Sequence, residues 1–162
     1  MNYCFDNSIL SVAEDFYNAY QRCLEGKNTH VDESNVTVSE IVCIPAIVNG
    51  AFSIELFLKS LSPLSNKELR KKKHELAELF LTLDQEDQTI IREAVEKEMN
   101  DYSFEDGLRI INNSFTFWRY IHLKKSYGFP GVNVTHKLLD IFLGVIREHA
   151  LNKKEKDKLV SF

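Results

Sequence analysis

The sequence predicts an all-α fold: an up-and-down bundle of four long helices with shorter helices between them. Three observations carry this expectation. Apolar residues recur at helical spacing in every long segment. Eleven Phe and six Tyr stand against only six Gly and three Pro, few turn formers for a strand-rich chain. Apolar residues make up 44% and charged residues 27%, and 162 residues suit a single domain, 1–162, with its own core.

The elements follow in chain order. Leu10, Ala13, Phe16, Tyr17, Tyr20 and Leu24 fall at i, i+3, i+4 and i+7, which predicts a helix over Ser8–Leu24. The polar stretch EGKNTHVDESN reads as a loop. A second helix starts at Ser39 or Ile44 and ends near Leu61. Pro45 either sits in its first turn, where a missing N–H is harmless, or kinks it. Pro63 breaks the pattern, and a short helix is expected from His74 to Leu83, with Leu76, Leu79, Phe80 and Leu83 on one side. Asp84 is a candidate N-cap for the next helix, with acidic residues in the first turn where the helix dipole favours them. Ser103, with Asp106 three residues on, resembles a capping box and opens a helix expected to run from Phe104 to about Lys125. The last helix is expected from Asn133 to Leu151, with Leu138, Leu139, Ile141, Phe142, Val145 and Ile146 on its core side. NKKEKDK then reads as a solvated tail.

Composition narrows the function classes. The net charge is −4 and the pI about 5.7, so no global basic excess points to nucleic acid. Cys4, Cys23 and Cys43 are odd in number and contain no C-x-x-C, which argues against a disulfide framework or a zinc site and for a reducing, cytoplasmic compartment. The opening MNYCFDNSIL has no basic start and no sustained apolar run, so no leader is expected. Ile41–Leu58 is nearly long enough to span a bilayer, but it contains Pro45, Asn49, Ser53 and Glu55. A buried central helix is the better reading than a membrane span. No H-E-x-x-H, phosphate loop, G-x-G-x-x-G or G-x-S-x-G occurs, and His30, His136 and His149 lack metal-ligand spacing; neither metal nor cofactor is expected.

Two helices carry the polar residues of interest. On a wheel of 100° per residue, Ile44, Ile47, Val48, Ala51, Ile54 and Leu58 form an apolar arc that also holds Glu55, with Lys59 at its edge. A carboxylate there needs a partner. Glu55 either pairs with Lys59, four residues on, or reaches a cation on another helix. On the Phe104–Lys125 helix, Leu108, Ile111, Phe115 and Trp118 define the apolar arc. His122 lies inside it and Arg119 on its edge. Arg119 stays charged and can fork onto a carboxylate. These groups form either a register-fixing core network or a site. The basic run KELRKKKH, Lys67 to His74, is either a solvated loop or a phosphate-attracting patch.

The segments IPAIVNGAFSIELFLKSL, KHELAELFLTL and FTFWRYIHLKK together resemble the HEPN family (higher eukaryotes and prokaryotes nucleotide-binding) of small helical proteins, over most of Ile44–Lys125. Asn49, Ala51, Glu55 and Lys59 carry the resemblance most strongly. The His74-Glu75-Leu76 step and Trp118-Arg119-Tyr120 add to it. The resemblance implies an up-and-down bundle that often dimerises, commonly prokaryotic and cytoplasmic. It implies a place in toxin–antitoxin or phage-defence systems, often beside a nucleotidyltransferase. Many members are metal-independent RNases whose Arg is followed by His after four to six intervening residues. Here Arg119 and His122 are separated only by Tyr120 and Ile121.

Two functions are therefore expected. One is a non-catalytic module binding nucleotide, RNA or a protein partner through Asn49, Glu55, Lys59, His74, Arg119 and Tyr120. The alternative is a metal-independent RNase in which Arg119 stabilises the phosphate, His122 is the acid or base, and Glu55 orients one of them. Phe115, Phe117, Trp118, Tyr120 and Phe129 exceed what one helix face buries, so a homodimer is expected under either.

Overall fold

The structure, a computed structural model, describes residues 7–25, 38–63, 74–99, 101–119 and 132–160, with side chains at 7–25, 44–63, 74–99, 101–112 and 133–159. Among these residues there is no strand. Six helices follow one another: α1 (Asn7–Glu25), α2 (Val38–Leu61), α3 (Leu76–Phe80), α4 (Gln85–Glu98), α5 (Phe104–Arg119) and α6 (Val132–Val160).

α2 is the axis of the fold. From Ala46 to its end none of its side chains is exposed. It packs against α1, α3, α5 and α6. A helix enclosed on all sides is apolar on all sides, which is why Ile44–Leu61 has the length and composition of a membrane-crossing helix while 67% of it is buried within the protein. Pro45 lies inside α2 rather than in its first turn; the helix runs on through it without the N–H that would reach Ile41.

Small residues let α1 approach this axis. Ser53 Oγ donates to the Ala13 carbonyl at 2.9 Å, a bond directly between the two helices. A Cβ on Gly50 would stand 3.1 Å from the Tyr20 ring. Phe16 and Phe52 meet edge to face at 4.6 Å beside this contact. The core continues through a ladder of rings, Phe80 to Phe104 at 4.7 Å and Phe104 to Phe142 at 5.3 Å, joining α3, α5 and α6. Arg92 of α4 lies over the Phe104 ring at 4.5 Å and also binds Glu105.

Several boundaries differ from expectation. α3 covers only Leu76–Phe80, because Thr82 and Leu83 turn back with tight i→i+3 bonds of 3.0 and 3.1 Å to Leu79 and Phe80. That turn delivers Asp84 to the N-cap of α4, but its side chain makes no cap hydrogen bond. Ser103 does cap α5: its Oγ accepts from the Asp106 N–H at 3.2 Å and donates to the Asp106 carboxylate at 2.9 Å. The expected continuation of α5 beyond Arg119 lies outside the described residues. NKKEKDK is not a free tail. It forms the last turns of α6, and Lys153 within it bonds to Asp87 of α4.

Two glycines separate close packing from open surface. A Cβ at Gly107 would stand 2.8 Å from the Phe142 ring, whereas one at Gly144 meets nothing within 4 Å. Gly107→Ala is expected to destabilise by about 1–3 kcal/mol, and Gly144→Ala to stabilise by about 0.5–1 kcal/mol. Urea denaturation of the two variants checks this, and equal midpoints would contradict it.

Candidate functional site

Three of the residues singled out in the sequence meet at the C-terminal end of α2. Glu55 and Lys59 are one turn apart on its buried surface, 2% and 8% exposed. Lys59 Nζ donates to Glu55 Oε1 at 2.5 Å. The same oxygen accepts from His74 Nδ1 at 2.9 Å. Of the two alternatives for Glu55, the pairing along its own helix is found; its other partner is not a cation on another helix but the imidazole of His74, in the connection before α3. Enclosure in α2 is the reason, since a charge removed from water this far requires more than one donor. The His74 side chain itself is 65% exposed, so a buried carboxylate holds a surface imidazole by one nitrogen. Held in this way, a ring can present its other nitrogen in a fixed direction, as a hydrogen-bond donor or as a proton acceptor.

The residues after His74 are held from α5. The Leu76 N–H donates to Asn112 Oδ1 at 2.7 Å, and Asn112 Nδ2 donates to Glu75. Glu75 is the N-cap of α3 but makes no side-chain cap bond, so Asn112 meets an otherwise orphaned N–H from another helix. Arg119 ends α5 seven residues beyond Asn112, close to two turns. Its side chain lies outside the described ones, as do Tyr120, His122 and the basic stretch Lys67–Lys73 altogether. Asn49 is not part of this cluster: it faces α1, where its Nδ2 approaches Cys23 Sγ at 3.9 Å.

A second charged cluster was not among the sites expected from the sequence. Asp87, in the first turn of α4, is 5% exposed. It accepts from His149 Nε2 at 2.9 Å and, through its other oxygen, from Lys153. His149 and Lys153 are four apart on α6, a spacing readable from the sequence, but their shared partner lies 62 positions away from His149. Burial pushes the Asp87 carboxyl up; the hydrogen bonds and charges of His149 and Lys153 outweigh it and hold the group below the usual carboxylate range. Among the described residues no group of three His, Cys, Asp or Glu is placed to hold a metal ion.

Elsewhere α6 is tied to α1. Arg147 forks onto Glu14 with two bonds of 2.8 Å and lies over the Tyr17 ring at 4.2 Å. The bonds to Glu14 push the guanidinium pKa up further. Tyr20, fully buried, donates its hydroxyl to Asp140. Burial first, and then this bond, push the phenol well above its ordinary value. His136 stacks on the same ring with centroids 6.4 Å apart, a packed core histidine.

Two outcomes follow from these clusters. Glu55→Gln removes the charge that Lys59 and His74 both meet and is expected to cost about 3–5 kcal/mol. Adding Lys59→Met should restore a large part of that loss, a non-additivity measurable in a urea double-mutant cycle; strictly additive losses would mean that the pair does not interact. Because the Asp87 pKa is depressed in the folded state, its contribution is present above the unfolded value and is lost as pH falls through the folded one. Asp87→Asn should therefore lower stability by about 1–3 kcal/mol at neutral pH. The gap from the parent protein should close below about pH 4, and a gap independent of pH would contradict the assignment.

No protein-family model matches this chain, and neither a curated protein nor a solved structure is significantly similar to it.

Proposed function

We propose that this chain is a non-catalytic, HEPN-like module, an up-and-down bundle of four long helices with shorter ones, that binds the phosphates of RNA or a nucleotide around His74. One observation carries the reading. His74 is held by a buried carboxylate whose charge Lys59 already meets, and its exposed ring directly follows Lys67, Arg70, Lys71, Lys72 and Lys73 in the chain. With Nδ1–H engaged by Glu55, it is the doubly protonated ring that offers Nε2–H to a phosphate oxygen, beside a dense run of cations that suits the same ligand even in a chain of net charge −4. Glu55 and Lys59 support the imidazole rather than meet the ligand, because both are buried and bonded to each other. Asn112 steadies the next residues and acts as a positioning residue.

The resemblance extends the proposal to a cytoplasmic homodimer working beside a nucleotidyltransferase-type partner in a toxin–antitoxin or phage-defence setting. Arg119 and Tyr120 join the phosphate surface in this reading. The short Arg119–His122 spacing favours binding over the family's RNase chemistry.

The experiment is fluorescence anisotropy with a labelled mixed-sequence RNA in EDTA, with RNA integrity followed in parallel. The parent protein should bind without cleaving. His74→Ala and a variant carrying Gln at residues 70–73 should bind more weakly. The second should also flatten the salt dependence, by about 0.7 in slope for each phosphate that the protein no longer neutralises. Cleavage that disappears in both Arg119→Ala and His122→Ala would establish the RNase instead. Binding unchanged in the His74 and basic-run variants would overturn the proposal.

A further inference from the structure

A small pocket away from the Glu55 cluster has the makings of a base-binding site. Val134, Lys137, Leu138 and Ile141 fall at i, i+3, i+4 and i+7 and so share one face of α6. Met99, Asp101 and Tyr102, from the connection between α4 and α5, lie across from them and complete a cavity of about 150 Å³. Its floor is apolar, with Leu138 at 2% and Met99 at 9% exposure, while Tyr102 is 40% exposed. Lys137 and Asp101 add one cation and one carboxylate to the lining, both on exposed residues. An apolar cavity of about 150 Å³ accommodates a single six-membered ring such as benzene.

We propose that this pocket takes the base of a pyrimidine nucleotide, free or as a residue of RNA. Tyr102 offers a face on which the base can stack. Asp101 offers an acceptor for a ring or exocyclic N–H. Lys137 offers a point charge to the phosphate. A purely apolar side chain from a partner protein would use the floor and leave both charged groups without a role. The choice of a nucleotide over another small aromatic anion rests on the phosphate-binding reading above; the volume and the lining do not depend on it.

The test is a titration of the whole protein with UMP, followed by NMR of the Val134, Leu138 and Ile141 methyl groups, with AMP, uridine and phenyl phosphate as comparators. Saturable shifts at these methyls are expected with UMP. Uridine, and UMP against Lys137→Ala, should bind about five- to tenfold more weakly. Tyr102→Ala should lose roughly tenfold or more, while Tyr102→Phe retains binding because stacking needs only the ring. Both positions are at the surface, and circular dichroism checks that each variant is folded.

No shift at these methyls with millimolar UMP would overturn the proposal. So would AMP or phenyl phosphate binding as tightly as UMP. Oligouridylate binding that is indifferent to Tyr102→Ala would overturn it for RNA. The two readings fail separately. RNA binding unaffected by the His74 and basic-run variants, with UMP still seated at Tyr102, sinks the His74 surface alone. RNA binding that depends on His74, with no UMP at Tyr102, sinks the pocket alone.

Discussion

Glu55 lies at 2% exposure on a helix enclosed by four others, and its carboxylate accepts from both Lys59 and His74. The surrounding geometry answers to that placement. An isolated carboxylate in such a position would be far too costly, so the helix supplies an ammonium one turn on and the chain beyond Pro63 supplies an imidazole. The ammonium is drawn inward, to 8% exposure. The imidazole stays at the surface, fixed at one edge. Asn112, bonding Glu75 and the Leu76 N–H, then sets the start of α3. A buried charge thus orients an exposed group, and that exposed group is what a ligand could meet.

The same logic recurs around α6 with different severity. Asp87 is nearly as buried as Glu55 and also has two donors, His149 and Lys153. This pairing carries α6 past the point where its apolar pattern fades: none of the described side chains after Ala150 is buried, yet the helix continues to Val160. Glu14 and Arg147 are only partly withdrawn from solvent, and their value lies more in the fork and the Tyr17 stack than in charge. Pairs at the open surface, such as Lys158 with Glu155, contribute little. Apolar packing holds the helices together; the buried charges fix which residues face which.

Much of the helical organisation was legible because it is local. The repeats of Leu10, Ala13 and Tyr20, and of Leu138, Leu139, Phe142 and Ile146, are helical and buried where the spacing puts them. Ser103 caps because capping needs only a hydroxyl three residues from an N–H. The Glu55–Lys59 bond was legible for the same reason, being one turn long. What escaped was tertiary. Nothing in NKKEKDK says that Lys153 has a carboxylate waiting on α4, so the segment read as solvated. Nothing near His149 announces Asp87. The early end of α3 depends on a tight turn at Thr82 and Leu83 that no helix signal encodes. The grouping of His74 with Glu55 was half legible: the wheel put Glu55 inside and demanded a partner, without saying from where.

The most direct measurement is the tautomer of His74, read by long-range ¹H–¹⁵N NMR of the whole protein. A carboxylate only accepts, so a bond at 2.9 Å from Nδ1 to Glu55 requires the proton to sit on Nδ1. The neutral ring is expected to carry its proton on Nδ1, reverting to the Nε2-protonated form common for free imidazoles once Glu55→Ala removes the acceptor. A His74 ring protonated on Nε2 alone in the parent protein would contradict it, because Glu55 would then hold Lys59 and nothing at the surface.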